Sequence, residues 1–85
     1  MSRVLILGSG GREHALAWRL QQEAEVIWAP GNGAEECETR PCDLTDVSAI
    51  RALARELQPD LVIPGPEALL IAGVADALRA DGWSV

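Results

Sequence analysis

The stretch Val4-Leu5-Ile6-Leu7-Gly8-Ser9-Gly10-Gly11-Arg12-Glu13-His14-Ala15-Leu16-Ala17-Trp18 constrains the fold more than any other part of the sequence. Four consecutive aliphatic side chains bounded by glycine suit a parallel strand buried on both faces, where no polar alternation is needed. The glycines turn the chain, and the residues after them take up helical spacing. Gly8, Gly10 and Gly11 carry no Cβ to hold an anion off the backbone. A helix starting near Gly11 or Arg12 points free N–H groups, with about half a positive charge, into the turn. That order of strand, glycine turn and helix start makes a phosphate seat, and Arg12 at its mouth is a fork-shaped donor for a phosphate monoester.

Two nucleotide-binding patterns fail at this turn. The dinucleotide pattern G-x-G-x-x-G needs a third glycine where Glu13 stands, and a carboxylate there suits the helix dipole but sits badly beside a pyrophosphate. It also needs an acidic ribose reader after the second strand, whereas Glu25-Val26-Ile27-Trp28-Ala29 runs into Pro30-Gly31-Asn32-Gly33. The Walker pattern needs Gly-Lys-Ser/Thr, and the chain has no lysine. The plain alternative for the glycines is a tight strand-to-helix connection.

Strand and helix signals alternate along the rest of the chain. A first helix over residues 12–22 buries Leu16, Ala17, Leu20 and Ala24, with His14 and Trp18 on another face. His14 reads as a helix-start residue bonded to a neighbouring loop in preference to a catalytic base, since no nucleophile or carboxylate is paired with it. Arg40-Pro41-Cys42 is expected as a short edge strand. Asp43, Thr45 and Asp46 cap a second helix that buries Val47, Ile50, Leu53, Ala54 and Leu57 and stops at Pro59. Asp60-Leu61-Val62-Ile63 is the next strand, followed by Pro64-Gly65-Pro66-Glu67. A last helix over 68–80 buries Leu70, Val74, Ala77 and Leu78 and ends at a left-handed Gly82. Trp83-Ser84-Val85 then opens another apolar run.

This alternation predicts a single α/β domain over residues 1–85: a Rossmann-like open parallel sheet of four to five strands with three helices. The first strand is central, with the second and third on one side and the 60–64 strand on the other. Strand order reverses between the two central strands, so the turns at Gly8, Ser9, Gly10, Gly11 and Arg12 and at Gly65, Pro66 and Glu67 converge on one crevice. The Asn32 loop leaves from the same end of the sheet. Glu67 has two readings, a dipole partner at a helix start or an acceptor for sugar hydroxyls.

Charge and composition narrow the partners. A net charge of −6 repels nucleic acid and anionic membranes, while a helix terminus and one arginine still act on a small anion within a Debye length of about 8 Å. The four-residue apolar run near the N-terminus is too short for a signal peptide or a span, so a cytoplasmic protein is expected. Cys37 and Cys42 lack a histidine nearby to complete a zinc site and read as reduced thiols. All seven basic residues are arginine, and Phe and Tyr are absent, as biased codon usage or a designed or reconstructed sequence would produce.

Three blocks then resemble one family. Gly8 through Trp18, Ala29-Pro30-Gly31-Asn32-Gly33, and Gly65-Pro66-Glu67-Ala68 through Ala72-Gly73-Val74 resemble the N-terminal (pre-ATP-grasp) domain of phosphoribosylamine-glycine ligase, in order across essentially the whole chain. Pro64 departs from the family's β-branched residue and Leu69 from its frequent proline, and the Asn32 loop is shortened after Gly33. The resemblance implies an ATP-dependent ligase of de novo purine synthesis. In it glycine is activated as an acyl phosphate and attacked by the amine of 5-phosphoribosylamine, giving glycinamide ribonucleotide, ADP and phosphate. It implies that Gly10, Gly11, Arg12 and Asn32 face the phosphoribosyl substrate with Glu67 near its ribose. ATP and magnesium belong to a following ATP-grasp region, so no cofactor is expected on these residues, and the partners are that substrate and the ATP-grasp domains. Two other readings stand: an inert phosphate- or nucleotide-binding module, and a scaffold that self-associates through apolar surface. The chain carries no metal-binding carboxylate cluster and no lysine for nucleotide phosphates. The 85 residues alone are therefore expected to release no ADP from ATP, glycine and phosphoribosylamine, and a coupled ADP assay showing turnover would overturn that.

Overall fold

A computed structural model describes residues 2–8, 10–30, 38–65 and 73–85. Its elements are β1 (Arg3–Gly8), α1 (Gly11–Leu20), β2 (Glu25–Pro30), β3 (Glu38–Thr39), α2 (Val47–Leu57), β4 (Leu61–Pro64) and α3 (Val74–Ala80). A strand without water on either face must satisfy its backbone laterally, and β1 does so on both edges. It pairs in parallel with β2, from Arg3 opposite Glu25 to Gly8 opposite Pro30, and with β4, from Val4 opposite Leu61 to Leu7 opposite Pro64. The order is β3-β2-β1-β4, all parallel, which is the expected Rossmann-like α/β sheet with β1 central.

Alternation along β1 divides the core in two. Leu5 and Leu7 meet Ile27, Ala29 and Val62, and the stripe Ile50, Leu53, Ala54 and Leu57 of α2 with Val74 and Leu78 of α3 covers them. Val4 and Ile6 point the other way, to Val26, Trp28 and Ala17 of α1, with Leu16, Leu20 and Ala24 partly buried beside them. One helix therefore lies on one face and two on the other, among the described residues. Trp18 stays half exposed, off this packing.

Polar contacts set the helix ends. Asp46 caps α2, its Oδ1 accepting from the Ser48 N–H at 2.9 Å and the Ala49 N–H at 3.3 Å. Asp43 instead holds the preceding turn, accepting from the Thr45 N–H and hydroxyl, which keep its carboxyl below the usual carboxylate range. At the end of α3, the Trp83 N–H donates to Leu78 O and the Gly82 N–H to Arg79 O, both at 3.0 Å, with Gly82 at φ +96. That is a Schellman stop, and Gly82 is the left-handed residue expected there.

Three expectations are corrected or refined. The edge strand falls at Glu38–Thr39, not at 40–42: the Arg40 N–H still reaches Trp28 O at 3.1 Å, but the register sets position 41 opposite Pro30, where β2 ends, so the ladder has no partner to continue on. The last described helix starts at Val74, because Gly73 at φ +80 lies outside helical space; Ala68 and Leu70 fall outside the described residues. Pro64 sits within β4 without breaking its pairing to β1. The Gly65 N–H donates to Leu7 O at 2.6 Å, so with N–H groups alternating in side along the strand, position 64 faces the outer edge. On that edge the Val62 N–H meets Ser84 O at 2.8 Å, and Trp83 and Val85 pack against the core, so the final residues run beside β4 where a fifth strand would lie.

Two outcomes follow for stability. Leu5→Ala removes a fully buried side chain at the sheet centre and should cost about 2–5 kcal/mol, read as a lower urea midpoint at unchanged slope; a loss below 1 kcal/mol would contradict the packing. The Arg51 guanidinium forks onto Asp81 at 2.7 and 2.8 Å and holds that carboxyl below its ordinary value. A carboxyl depressed by folding adds stability above its unfolded pKa and loses it as pH falls through the folded one. Arg51→Gln should therefore flatten the loss of stability on acidification below the ordinary carboxylate range, measured by urea midpoints across pH.

Candidate functional site

β1 ends at Gly8, whose φ of +146 only glycine adopts without strain, and α1 begins at Gly11 after Gly10 in an extended conformation. The first intrahelical bond runs from the His14 N–H to Gly10 O at 3.1 Å. Gly10 has no side chain with which to cap the helix. The cap comes from Glu13 instead: its Oε2 accepts the Gly10 N–H at 3.0 Å, the backward-reaching half of a capping box.

Glu13 is only 4% exposed, a buried charged side chain at the sheet's carboxyl edge. Its carboxylate lies between two turns. A Cβ on Gly10 would come within 2.7 Å of Glu13 Oε2, and a Cβ on Gly65 would collide with Oε1 and lie 2.8 Å from Leu7 O. The glycines at 10 and 65 thus leave the volume that this carboxylate fills, and the positive end of α1 favours a negative group there. The carboxylate expected to suit the helix dipole does so by turning inward, between Gly10 and Gly65.

The structure brings Gly8, Gly10, Gly11, Arg12 and Gly65 together at the carboxyl ends of β1 and β4, where strand order reverses. Pro30, the last residue of β2, stands opposite Gly8 at the same edge. Ser9, Asn32, Pro66 and Glu67 lie outside the described residues. Arg12 is exposed and has no hydrogen bond or ion pair among the described residues. By contrast Arg3, Arg19, Arg40, Arg51 and Arg79 each pair with a carboxylate. His14 stacks on the Trp28 ring with centroids 5.3 Å apart and planes 10° from parallel, which orients it by packing. The Trp28 Nε1 is buried without an acceptor among the described residues.

Chemically, the described part of this edge offers a cation, helix N–H groups and a buried carboxylate. Among the described residues no three His, Cys, Asp or Glu side chains cluster as metal ligands. Cys42 packs half-buried near α2, and burial, with Asp43 and Asp46 adding to it, pushes its thiol up, away from nucleophile character; Cys37 lies outside the described residues. Sequence reasoning missed the inward role of Glu13 and the reason for Gly65. The signal was a glutamate three residues after the N-cap position, the spacing of a capping box. Gly65→Ala should destabilise the chain by about 1–3 kcal/mol through the clash with Glu13 and the Leu7 carbonyl. Gly65→Ala with Glu13→Ala should recover only the part due to the side chain, as urea midpoints of the three variants would show.

Comparisons with known proteins agree with this fold. The family described as "Phosphoribosylglycinamide synthetase, N domain" matches residues 2–85. Phosphoribosylamine--glycine ligase of Phenylobacterium zucineum is 51% identical over 84 residues, covering 93% of this chain and 20% of that protein. The ligase of Mesorhizobium japonicum is 50% identical over 88 residues, covering 96% and 20%. The chain thus spans about a fifth of the length of these relatives. Among solved structures, CobK precorrin-6A reductase superposes with a TM-score of 0.76 at 22% identity, covering 99% of this chain and 37% of that one, a likeness of fold. A mutated uronate dehydrogenase gives 0.67 at 25% identity, covering 96% and 36%. By its match from residue 2 to residue 85, the chain belongs to the phosphoribosylglycinamide synthetase N-domain family.

Proposed function

We propose that this chain holds the phosphoribosyl substrate of a phosphoribosylamine-glycine ligase, seating the phosphate at the β1–α1 turn. The observation that carries the reading is Arg12. It is exposed and without a partner among the described residues, one residue into a ten-residue helix whose start faces the carboxyl edge. A phosphate monoester accepts both from a guanidinium fork and from helix N–H groups, and the two donor sets converge here. Ser9, Asn32, Pro66 and Glu67 complete the site, with Glu67 accepting from the ribose hydroxyls.

The chemistry that joins glycine to the amine is carried by the rest of a longer enzyme, in an ATP-grasp region that takes ATP and magnesium, in the cytoplasm. No helix among the described residues is long and apolar enough to cross a membrane. The present chain contributes position: it fixes the phosphate, and so aims the amine that attacks the activated glycine. Ribose 5-phosphate added to the 85-residue chain should change its tryptophan fluorescence saturably, with Trp28 only two residues from the end of β2. Arg12→Ala should weaken that binding at least tenfold, and binding unaffected by Arg12→Ala would defeat the reading.

A further inference from the structure

We infer that Glu13 determines which phosphates this edge accepts, admitting a monoester and rejecting a diphosphate. The inference rests on the phosphate seat proposed above and deepens it.

Open α/β sheets bind ligands in the crevice outside the strand ends where strand order reverses, here between β1 and β4. In the dinucleotide-binding turn that crevice is kept clear by a third glycine, which also lets the backbone approach a pyrophosphate. In this chain the corresponding position is Glu13, and its side chain does two things there. It takes the Gly10 N–H at 3.0 Å, removing one backbone donor from any ligand. It also places a buried carboxylate between Gly10 and Gly65, in the space that both glycines leave open.

These effects act unequally on the two ligand classes. A monoester sits at the outer rim, where Arg12 and the next helix N–H groups supply its donors. A diphosphate must lay a second phosphate along the crevice, toward Gly65, over the carboxylate and without the Gly10 donor. In a site that is partly out of water, like charges at such range are costly. The glycine turn is thereby kept for a sugar monophosphate.

The test uses the 85-residue chain and two probes, ribose 5-phosphate and ADP-ribose, which extends the same sugar phosphate by a second phosphate and adenosine. Titration calorimetry should give the wild type at least a tenfold preference for ribose 5-phosphate. Glu13→Gln keeps the shape and the acceptor for Gly10 while removing the charge, so the preference should shrink severalfold. Glu13→Gly restores the donor and the space, so the preference should fall further through tighter ADP-ribose binding. Because each ratio is taken within one variant, general loosening of the fold cancels, and circular dichroism confirms that each variant is folded. Should Glu13→Gly prove unfolded, the Glu13→Gln ratio alone decides. A preference unchanged within twofold in the folded variants, or a wild type that binds ADP-ribose as tightly as ribose 5-phosphate, overturns the inference while leaving the seat in place. A wild type that binds neither probe removes the seat, and this inference with it.

Discussion

Everything in this molecule follows from β1 being enclosed on all sides. Val4 to Gly8 are buried, with β2 and β4 taking the backbone groups on either edge, α1 below, and α2 with α3 above. A domain of 85 residues can bury only about 60–65% of its unfolded surface, so this strand and the side chains touching it hold most of the apolar burial available. Each face of β1 supplies two large aliphatic residues, and each helix on that face presents its apolar stripe to them. The parallel arrangement then leaves every strand pointing its carboxyl end the same way, so turns distant in sequence meet at one edge.

The two edges of the sheet are closed by different chemistry. At the amino end Arg3 acts as a clamp. Its backbone N–H donates to Asp60 Oδ2 at 2.7 Å, its Nε to Glu25 Oε2 at 3.2 Å, and its guanidinium caps the Leu57 carbonyl at the end of α2. One residue thus joins the starts of β1 and β2 to the approach to β4. At the carboxyl end the equivalent tie is Glu13, which joins α1 to the turn at Gly10 and packs on Gly65. The first tie is partly solvated and contributes modestly, whereas the second is buried, so its geometry is more strictly held.

The fold was legible because its signals were local and consistent. A run of four aliphatic residues, helical spacing over Val47 to Leu57 with Asp46 before it, and Gly82 after Ala80 each specify their own element. What was not legible depended on backbone detail that spacing does not encode. Pairing beside β2 stops because β2 itself ends at Pro30, which the register sets opposite position 41, while Pro64 is harmless because position 64 faces the outer edge of β4; neither follows from the residue type alone. Gly73 begins a helix instead of continuing one because it adopts φ +80. At the site, sequence placed the two turns on one edge but not the rotamer of Glu13. A glutamate in the first turn of a helix can point outward to solvent or back toward the N-cap, and a glycine at position 65, fifty-two residues on, is what makes the inward choice possible.

That choice bears on how an acidic chain can hold an anion at all. The net charge of −6 opposes anions at long range, and among the described residues five of the seven arginines are already paired with carboxylates. Pairing leaves little free positive field over most of the surface, and exposed pairs of that kind are screened within about 8 Å. Arg12 stands apart from them, at the start of α1, where the partial charge of the helix adds to its own. Had Glu13 pointed outward, its carboxylate would have been one residue from Arg12 and could have neutralised it. By turning inward onto the Gly10 amide, the glutamate leaves the guanidinium without a carboxylate partner among the described residues, so the same buried contact that shapes the crevice also preserves the positive group at its rim.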